Sequence, residues 1–254
     1  MKMSFKTLCA SKNKTVGQFL FLGYPEMAEL AAHAGYDFVV IDNEHGIERT
    51  DSFMNTLRAA DAEGVVPIVR VPDVHDEAAI KKALDCGAAG VIVPGICSRE
   101  TAELGVRYSK FAPIGRRGAC PYVRANGYGS MDPIAFYEKA NRDVSLILLV
   151  EGKEGMEKFD EIIAVEGVDG IMFGPIDLSV SLGVPGEVYH PLVEEGIRTM
   201  IKKAKSRNLL VGIYGDSVEH SRRWFENGCD YVIAMIDSTV LYEANKRVLE
   251  EILK

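Results

Sequence analysis

The sequence predicts an α/β protein folded as a closed (β/α)₈ TIM barrel, and three observations lead to that prediction. Short apolar runs alternate with longer amphipathic stretches along the chain, as expected of buried parallel strands joined by helices. Eight apolar runs can be counted. The length of 254 residues fits this barrel, which typically has about 250. We therefore predict one barrel domain over residues 1–254.

The eight predicted strands are residues 16–21, 37–41, 66–70, 90–93, 145–150, 170–173, 209–213 and 231–234. Between them, apolar residues recur at the helical period, for example at Leu192, Val193 and Ile197. The last amphipathic stretch, residues 240–253, carries an apolar stripe that must be buried. The sequence leaves open whether its own barrel or a neighbouring subunit buries that stripe.

A glycine followed two residues later by Asp or Ala recurs before alternate strands. The four occurrences are Gly35-Tyr36-Asp37, Gly87-Ala88-Ala89, Gly167-Val168-Asp169 and Gly228-Cys229-Asp230. Glycine suits the left-handed position that ends a helix, so good loop chemistry alone could explain each one. Recurrence before the second, fourth, sixth and eighth strands favours a barrel over an open doubly wound sheet.

Composition excludes several classes of function. There are 29 Lys and Arg against 37 Asp and Glu, a net charge of −8, which argues against a general nucleic-acid binder or a polybasic membrane binder. No apolar run approaches the roughly 18 residues of a membrane span, and the first residues show no signal-peptide core. Five cysteines without a C-x-x-C pair argue against disulfides or a thiolate zinc site. We predict a cytoplasmic protein.

Polar residues follow several predicted strands, at the barrel face where active sites lie. They are Asp42, Glu44 and His45 after the second strand, Arg70 at the end of the third, Glu151 after the fifth and Asp177 after the sixth. Two carboxylates, a histidine and an arginine are therefore expected to converge at one end of the barrel.

Each of these residue types suggests a chemistry. Glu151 and Asp177 would repel each other unless a cation or shared proton compensates them, and hard oxygen ligands suit Mg²⁺ or Mn²⁺. The alternative is that each acid only caps the next helix. His45 can transfer protons if a neighbouring acid holds its ring. Arg70 closes an apolar strand and needs an anion, either a substrate or one of the acids beside it.

The predicted helices and strands leave one long irregular stretch, residues 111–131. Loops of this length in a compact domain are usually functional or disordered. Arg117 and Arg124 would suit a second carboxylate on the substrate if the loop is a lid, but arginine is equally common at subunit contacts. Both interpretations remain open from the sequence.

Several of these residues resemble one known family, the class II pyruvate-dependent aldolases that include 4-hydroxy-2-oxoheptanedioate aldolase and 2-dehydro-3-deoxyglucarate aldolase. The matching pieces are DFVVIDNEHG at 37–46, Arg70, Arg117-Gly118, Arg124-Ala125, Glu151 and EGVDGIMFGPIDLS at 166–179. The last block is the most specific, and the resemblance covers nearly the whole chain.

The resemblance implies a phosphoenolpyruvate/pyruvate type of barrel, assembled as a hexamer whose last helix is exchanged between subunits. It implies that Glu151 and Asp177 hold a divalent metal (Mg²⁺, Mn²⁺ or Co²⁺) that chelates pyruvate. Arg70 would face the keto oxygen, and His45, oriented by Asp42, would transfer the proton of the aldol hydroxyl. The substrate carboxylate would be seated by the backbone of Gly174, Pro175, Ile176 and Asp177.

The expected function is that of a metal-dependent aldolase cleaving a 4-hydroxy-2-oxo acid to pyruvate and an aldehyde through a pyruvate enolate. No lysine stands at a predicted strand end, so a Schiff-base route lacks its nucleophile. Leu149 departs from the family, which often has Gln there, and removes a polar contact near the site. A citrate-lyase-like or malyl-CoA-lyase-like activity, or a silent oxo-acid-binding barrel, are the alternatives.

Overall fold

The computed structural model describes residues 3–46 and 50–254, with the backbone alone at residues 50 and 51. Eight parallel strands form a closed barrel in chain order, and β8 pairs with β1. The strands are β1 Thr15–Leu20, β2 Phe38–Asp42, β3 Val66–Arg70, β4 Gly90–Val93, β5 Ser145–Val150, β6 Gly170–Phe173, β7 Leu210–Gly215 and β8 Tyr231–Ile236. The predicted α/β barrel is therefore confirmed.

Helices surround the barrel and fill the connections. They are α1 Phe5–Ser11, α2 Pro25–Ala34, α3 Thr50–Glu63, α4 Glu77–Asp85, α5 Arg99–Ser109, α6 Pro133–Asp143, α7 Lys153–Glu157, α8 Phe159–Ile162, α9 Pro175–Ser181, α10 Pro191–Ser206, α11 Val218–Glu226 and α12 Asp237–Ile252. A 3₁₀ turn covers Arg124–Asn126. Among the described residues, no helix combines the length and apolar character needed to cross a membrane.

The strand boundaries follow the sequence closely. Strands β3 to β6 begin and end at the predicted residues, and the other four differ by one or two residues at their ends. Helix α1 was not predicted, because its seven residues are too short to show a clear period. It covers the amino-terminal end of the barrel, where Phe5 packs edge-on against Phe38 and Tyr231 at centroid distances of 5.0 and 5.1 Å.

Two glycines make room for the large rings inside the barrel. A Cβ atom on Gly17 would lie 2.4 Å from the ring of Phe38, and one on Gly212 would lie 2.0 Å from the ring of Tyr231. Both rings are fully buried in the apolar cluster that fills the barrel. The barrel is therefore a packed core below the polar end, and it holds the strand ends in fixed positions.

The recurring glycine junction has one geometry at all four sites. The glycines Gly35, Gly87, Gly167 and Gly228 have φ angles of 94°, 97°, 95° and 99°. The residue two positions later then donates its backbone N–H to the preceding strand, with N···O distances of 2.8 to 3.0 Å. The acceptors are the carbonyl oxygens of Val16, Pro67, Leu146 and Val211. These junctions set the register between neighbouring strands.

The aspartate of the junction adds a second link wherever it is present. Asp37, Asp169 and Asp230 each accept a hydrogen bond from the backbone N–H of the preceding strand, at 2.8 or 2.9 Å. Asp169 also pairs with Lys6 at 2.7 Å and with Lys110 at 2.6 Å. The side chain of Lys110 is 2% exposed, so its charge depends on Asp169 for compensation.

We predict that Asp169→Asn lowers the free energy of unfolding by about 3 kcal/mol, because it leaves the buried Lys110 charge without its carboxylate. Urea denaturation measures the change. Asp160→Asn is the matched control: Asp160 pairs with Lys203 at the surface, and its loss should cost less than about 1 kcal/mol. Equal effects of the two substitutions would contradict a structural role for the junction carboxylate.

Candidate active site

Acidic side chains follow five of the eight strands at the carboxyl-terminal end of the barrel, referred to below as the mouth. They are Asp42 and Glu44 at β2, Glu151 after β5, Asp177 after β6, Asp216 after β7 and Asp237 after β8. Arg70 closes β3 and supplies a guanidinium among them. Among these described side chains, negative charge therefore predominates.

The guanidinium of Arg70 is held by two acids and an aromatic ring. Its Nε donates to Oδ1 of Asp42 at 2.6 Å, and its Nη1 lies 3.0 Å from Oε2 of Glu44. The ring of Phe19 lies on the other side, 4.7 Å from the guanidinium carbon. These contacts fix the orientation of Arg70, whose side chain is 9% exposed.

Asp42 holds the backbone around His45 and does not contact its imidazole. Its Oδ2 accepts the backbone N–H of His45 at 3.0 Å, and its Oδ1 accepts that of Glu44 at 3.3 Å. The imidazole is exposed, with Nε2 lying 4.0 Å from Oε2 of Glu44. The expectation that Asp42 orients the ring is therefore corrected: Asp42 is engaged with Arg70 and the backbone, and the acid that pairs with the ring among residues 3–46 and 50–254 is Glu44.

The charge of Asp177 acts on the carboxylate of Glu151, so the two acids lie in the same region of the mouth. Burial, followed by the charges of Asp177 and Glu44, raises the pKa of Glu151 from 4.5 to about 7, while a hydrogen bond from the Gly95 backbone lowers it. Gly174 lies against this carboxylate, since a Cβ on Gly174 would be 2.9 Å from its Oε2. A carboxylate that burial and two neighbouring negative charges destabilise is a favourable environment for a cation.

Asp177 does not cap the helix that follows it. Helix α9 begins at Pro175, and its N-cap is Gly174, so Asp177 is the third helical residue and is exposed. The first amides of a helix have no acceptor within the helix, so those of Ile176 and Asp177 are suited to bind an anion, whereas Pro175 has none. These amides follow Gly174, which lies against Glu151.

The donor set fits a divalent metal. Carboxylate oxygens are the ligands that Mg²⁺ and Mn²⁺ prefer, and a cation between Glu151 and Asp177 would remove the repulsion that raises the pKa of Glu151. Among the described residues, no three His, Cys, Asp or Glu side chains are grouped as a complete metal site. Two protein ligands leave positions for water and for chelating substrate oxygens.

The side chain at position 149 is apolar and lies beside these acids. Leu149 is 1% exposed and belongs to the cluster inside the barrel. One of its methyl carbons is 3.6 Å from the position of a Cβ on Gly174. Leu149 therefore forms an apolar wall next to Glu151, where the resembling family often has an amide.

Arg117 and Arg124 are not at the mouth, which corrects the prediction that they meet the substrate there. Arg117 is buried and donates to Asp85, the last residue of α4, at 2.6 Å. Arg124 pairs with Asp61 and donates to the carbonyl oxygen of Cys86 at 2.7 Å. These partners lie at the amino-terminal end of the barrel, where each guanidinium is paired with an acid.

The loop of residues 111–131 is consequently not a lid over the mouth of its own subunit. A cavity of about 500 Å³ lies at the same amino-terminal end, with Arg117 and Phe136 in its wall. The loop exposes Tyr122 and Tyr128. Contact with another subunit, the second interpretation, remains a prediction.

Sequence reasoning missed two acids of the mouth. Asp237 is fully buried and accepts backbone N–H groups of Phe21 and Leu22 at 2.9 and 3.2 Å, which joins the start of α12 to the end of β1. Asp216 follows β7 directly. Both could have been found by the rule that identified Glu151, but the predicted seventh and eighth strands ended two residues early.

The fold is that of a (β/α)₈ barrel with acids and an arginine at its mouth, and comparison with known proteins places it among aldolases and citrate lyases. Residues 15–238 match the family model described as HpcH/HpaI aldolase/citrate lyase. The chain belongs to this family.

Individual relatives span almost the full chain. The 5-keto-4-deoxy-D-glucarate aldolase of Escherichia coli (strain K12) is 31% identical over 250 residues, covering 98% of this chain and 96% of that protein. A crystal structure of a family protein from Burkholderia cenocepacia J2315 is 32% identical, with a TM-score of 0.90 and 98% coverage of both chains. The citrate synthase SbnG is 31% identical, with a TM-score of 0.88, covering 98% of this chain and 96% of that one.

We predict that Glu151→Gln stabilises the metal-free protein by about 2 kcal/mol near pH 8. The pKa of Glu151 is higher in the folded state, about 7, than the ordinary 4.5, so the folded form binds the proton more tightly. Wild-type stability therefore falls as the pH rises from 4.5 through 7, and the variant escapes this loss. Below pH 5 the gain should shrink by at least half, because wild-type Glu151 is then largely protonated.

Urea denaturation with a chelator present checks this prediction. The matched control is Glu157→Gln, which neutralises an exposed acid that makes a surface ion pair with Lys153. A stabilisation of Glu151→Gln that is the same at both pH values would show that charge repulsion is not its cause.

Proposed function

We propose that the protein is a divalent-metal-dependent lyase that cleaves a 4-hydroxy-2-oxo acid to pyruvate and an aldehyde. The observation that carries the proposal is the pair Glu151 and Asp177 at the mouth, with the rigidly held guanidinium of Arg70 on the same rim. Family membership and the aldolase relative support the same reaction. Mg²⁺, Mn²⁺ or Co²⁺ would be held by the two carboxylates.

The reaction breaks the bond between carbons 3 and 4 of the substrate and leaves an electron pair on pyruvate as its enolate. When bound, the metal supplies Lewis acidity toward the 2-oxo group. Arg70 faces the developing oxyanion, and its contacts with Asp42, Glu44 and Phe19 hold it there before the substrate arrives. Because Arg70 is already in position, its side chain does not have to move as the oxyanion forms.

A base must take the proton of the 4-hydroxyl group as the carbon–carbon bond breaks. His45 is assigned this role because its ring is exposed at the mouth, within 4.0 Å of Glu44, which can stabilise the imidazolium that forms. The N–H groups at the start of α9, in the segment from Gly174 to Asp177, bind the substrate carboxylate. Leu149 shields the site from water.

The exchange of pyruvate methyl protons with solvent tests enolate formation without any aldehyde. In D₂O with Mg²⁺, Mn²⁺ or Co²⁺, NMR should show exchange that a chelator abolishes. Arg70→Lys should slow it about 100-fold, because a point charge replaces a fixed pair of donors at the oxyanion. Arg58→Lys, at an exposed position, is the control. Absence of exchange with all three metals would contradict the proposal.

The same experiment separates the alternatives. Metal-dependent binding of pyruvate without exchange would favour a silent oxo-acid-binding barrel. The likeness to the citrate synthase SbnG favours acyl-CoA chemistry as the second candidate. Formation or cleavage of a CoA thioester, with no release of pyruvate from any 4-hydroxy-2-oxo acid, would establish that candidate in place of the first.

We further propose a cytoplasmic homo-oligomer, a hexamer by family resemblance, in which α12 packs on a neighbouring subunit. Apart from its first residues, α12 is exposed throughout, and its apolar side chains include Leu241, Tyr242, Leu249 and Ile252. An apolar patch of this length is typical of an interface. All five cysteines are free thiols, in keeping with a reducing compartment.

The oligomer can be tested on α12 directly. Sedimentation should give a multiple of the chain mass for the wild type, and Leu249→Glu should shift it toward the monomer because the interface would bury a charge. Glu250→Gln, at a neighbouring exposed position, should leave the mass unchanged. A wild type that sediments as a monomer would contradict this proposal.

A further inference from the structure

A carboxylate at the end of β7 is held in place by two side chains that the proposed reaction does not use. Asp216 is the first residue after the strand. Its Oδ1 lies 2.8 Å from Nδ1 of His220 in α11 and accepts the hydroxyl of Tyr189 at 3.1 Å. Tyr189 comes from the connection between α9 and α10, so two separate segments converge on one oxygen.

A tryptophan fixes the tautomer of the histidine. Nε1 of Trp224 donates to Nε2 of His220 at 2.6 Å, and both side chains are almost completely buried. An indole N–H can only donate, so Nε2 accepts and the ring proton resides on Nδ1, directed at Asp216. The ring of Tyr189 packs on the imidazole with centroids 4.8 Å apart. Hydrogen bonds therefore connect Trp224 in the core, through His220, to the carboxylate of Asp216.

Capping of α11 does not account for this carboxylate. Ser217 is the N-cap, and its side chain accepts the backbone N–H of His220 at 3.1 Å. The side chain of Asp216 is 35% exposed. Within the described ranges, Oδ2 of Asp216 accepts no hydrogen bond, so one oxygen is fixed and the other is open to a ligand.

Asp216 belongs to the same rim as the proposed lyase site. Tyr214, two residues earlier, points into the barrel, and its ring lies 6.1 Å from that of Phe19. Phe19 in turn lies against Arg70. Burial and the charge of Asp216 raise the pKa of Tyr214, so its hydroxyl stays neutral. The rim beside the pyruvate position thus offers one open carboxylate oxygen and one neutral phenol.

We propose that Asp216 accepts a hydrogen bond from a hydroxyl group on the aldehyde half of the substrate, so that the protein selects neutral hydroxylated aldehydes over aldehydes that carry a carboxylate. This inference rests on the proposed lyase function and names its substrate class. A fixed carboxylate binds a hydroxyl strongly and repels another carboxylate. Arg70 is engaged with Asp42 and Glu44, and Arg117 and Arg124 lie at the other end of the barrel.

Two aldehydes of equal length test the selection. Glyceraldehyde and 2-hydroxy-3-oxopropanoate differ only in a terminal CH₂OH or carboxylate, and each can be added to pyruvate in the aldol direction. The wild type should show a kcat/KM at least about tenfold higher for glyceraldehyde, the effect of one hydrogen bond to a charged group. The ratio of the two values does not depend on how much of a preparation is folded.

Substitutions assign the selection to Asp216. Asp216→Asn should lower the ratio about tenfold, since it removes both the charge-assisted bond and the repulsion. Tyr189→Phe should lower it less, because the carboxylate keeps its bond to His220. The matched control Asp160→Asn, far from the mouth on the surface, should leave the ratio at the wild-type value. Since His220 is buried, Tyr189→Phe tests the supporting contacts without risk to the core.

The outcomes separate this inference from the function on which it rests. If pyruvate protons exchange but the wild type prefers 2-hydroxy-3-oxopropanoate, or Asp216→Asn keeps the wild-type ratio, the inference is wrong and the lyase proposal stands. If the wild type exchanges no pyruvate protons with any of the three metals, the lyase proposal fails and the inference fails with it.

Discussion

Repulsion between neighbouring carboxylates is the interaction around which the mouth of this barrel is organised. Glu151 is destabilised as an anion by burial, by Asp177 and by Glu44, and its pKa rises to about 7. Arg70 offers limited relief because Asp42 holds it at 2.6 Å. A divalent cation would resolve the conflict, and it would supply the Lewis acidity that the proposed enolate formation needs.

The barrel beneath the mouth makes such repulsion tolerable. Four glycine junctions with nearly identical φ angles start β2, β4, β6 and β8, and three of them add an aspartate that ties down the preceding strand. Phe38 and Tyr231 fill the interior against glycines on neighbouring strands. The strand ends are therefore held rigidly enough to keep like charges together.

Periodicity in the sequence predicted the eight strands because each is a buried run bounded by loop residues, and four of the eight match at both ends. The strand-end rule likewise located Asp42, Arg70, Glu151 and Asp177. It could not locate Arg117 and Arg124, since a loop as long as residues 111–131 can return to either end of the barrel. Nor could it show that Asp42 binds the backbone of His45 and not its ring. The side chain of Asp42 is held by Arg70 through Oδ1, and this contact is visible only in the fold.

The contacts of Asp216 could not be predicted from the sequence, for a different reason. A histidine at position 220 is unremarkable in sequence, and the pattern of α11 predicts only that one face is buried. The role of His220 depends on Trp224, which fixes the ring tautomer, and on Tyr189, which comes from a separate segment of the chain. Only the fold brings these residues to the rim that Arg70 occupies.

The central claim is that Glu151 and Asp177 together hold a metal that chelates an oxo acid. A crystal structure with Mn²⁺ and pyruvate, or its unreactive analogue oxalate, tests it most directly through the anomalous signal of manganese. We expect one manganese peak between the two carboxylates, chelated by the oxo acid, with Arg70 facing the ligand. Electron density for pyruvate at the mouth with no manganese beside Glu151, or manganese bound elsewhere, would contradict it.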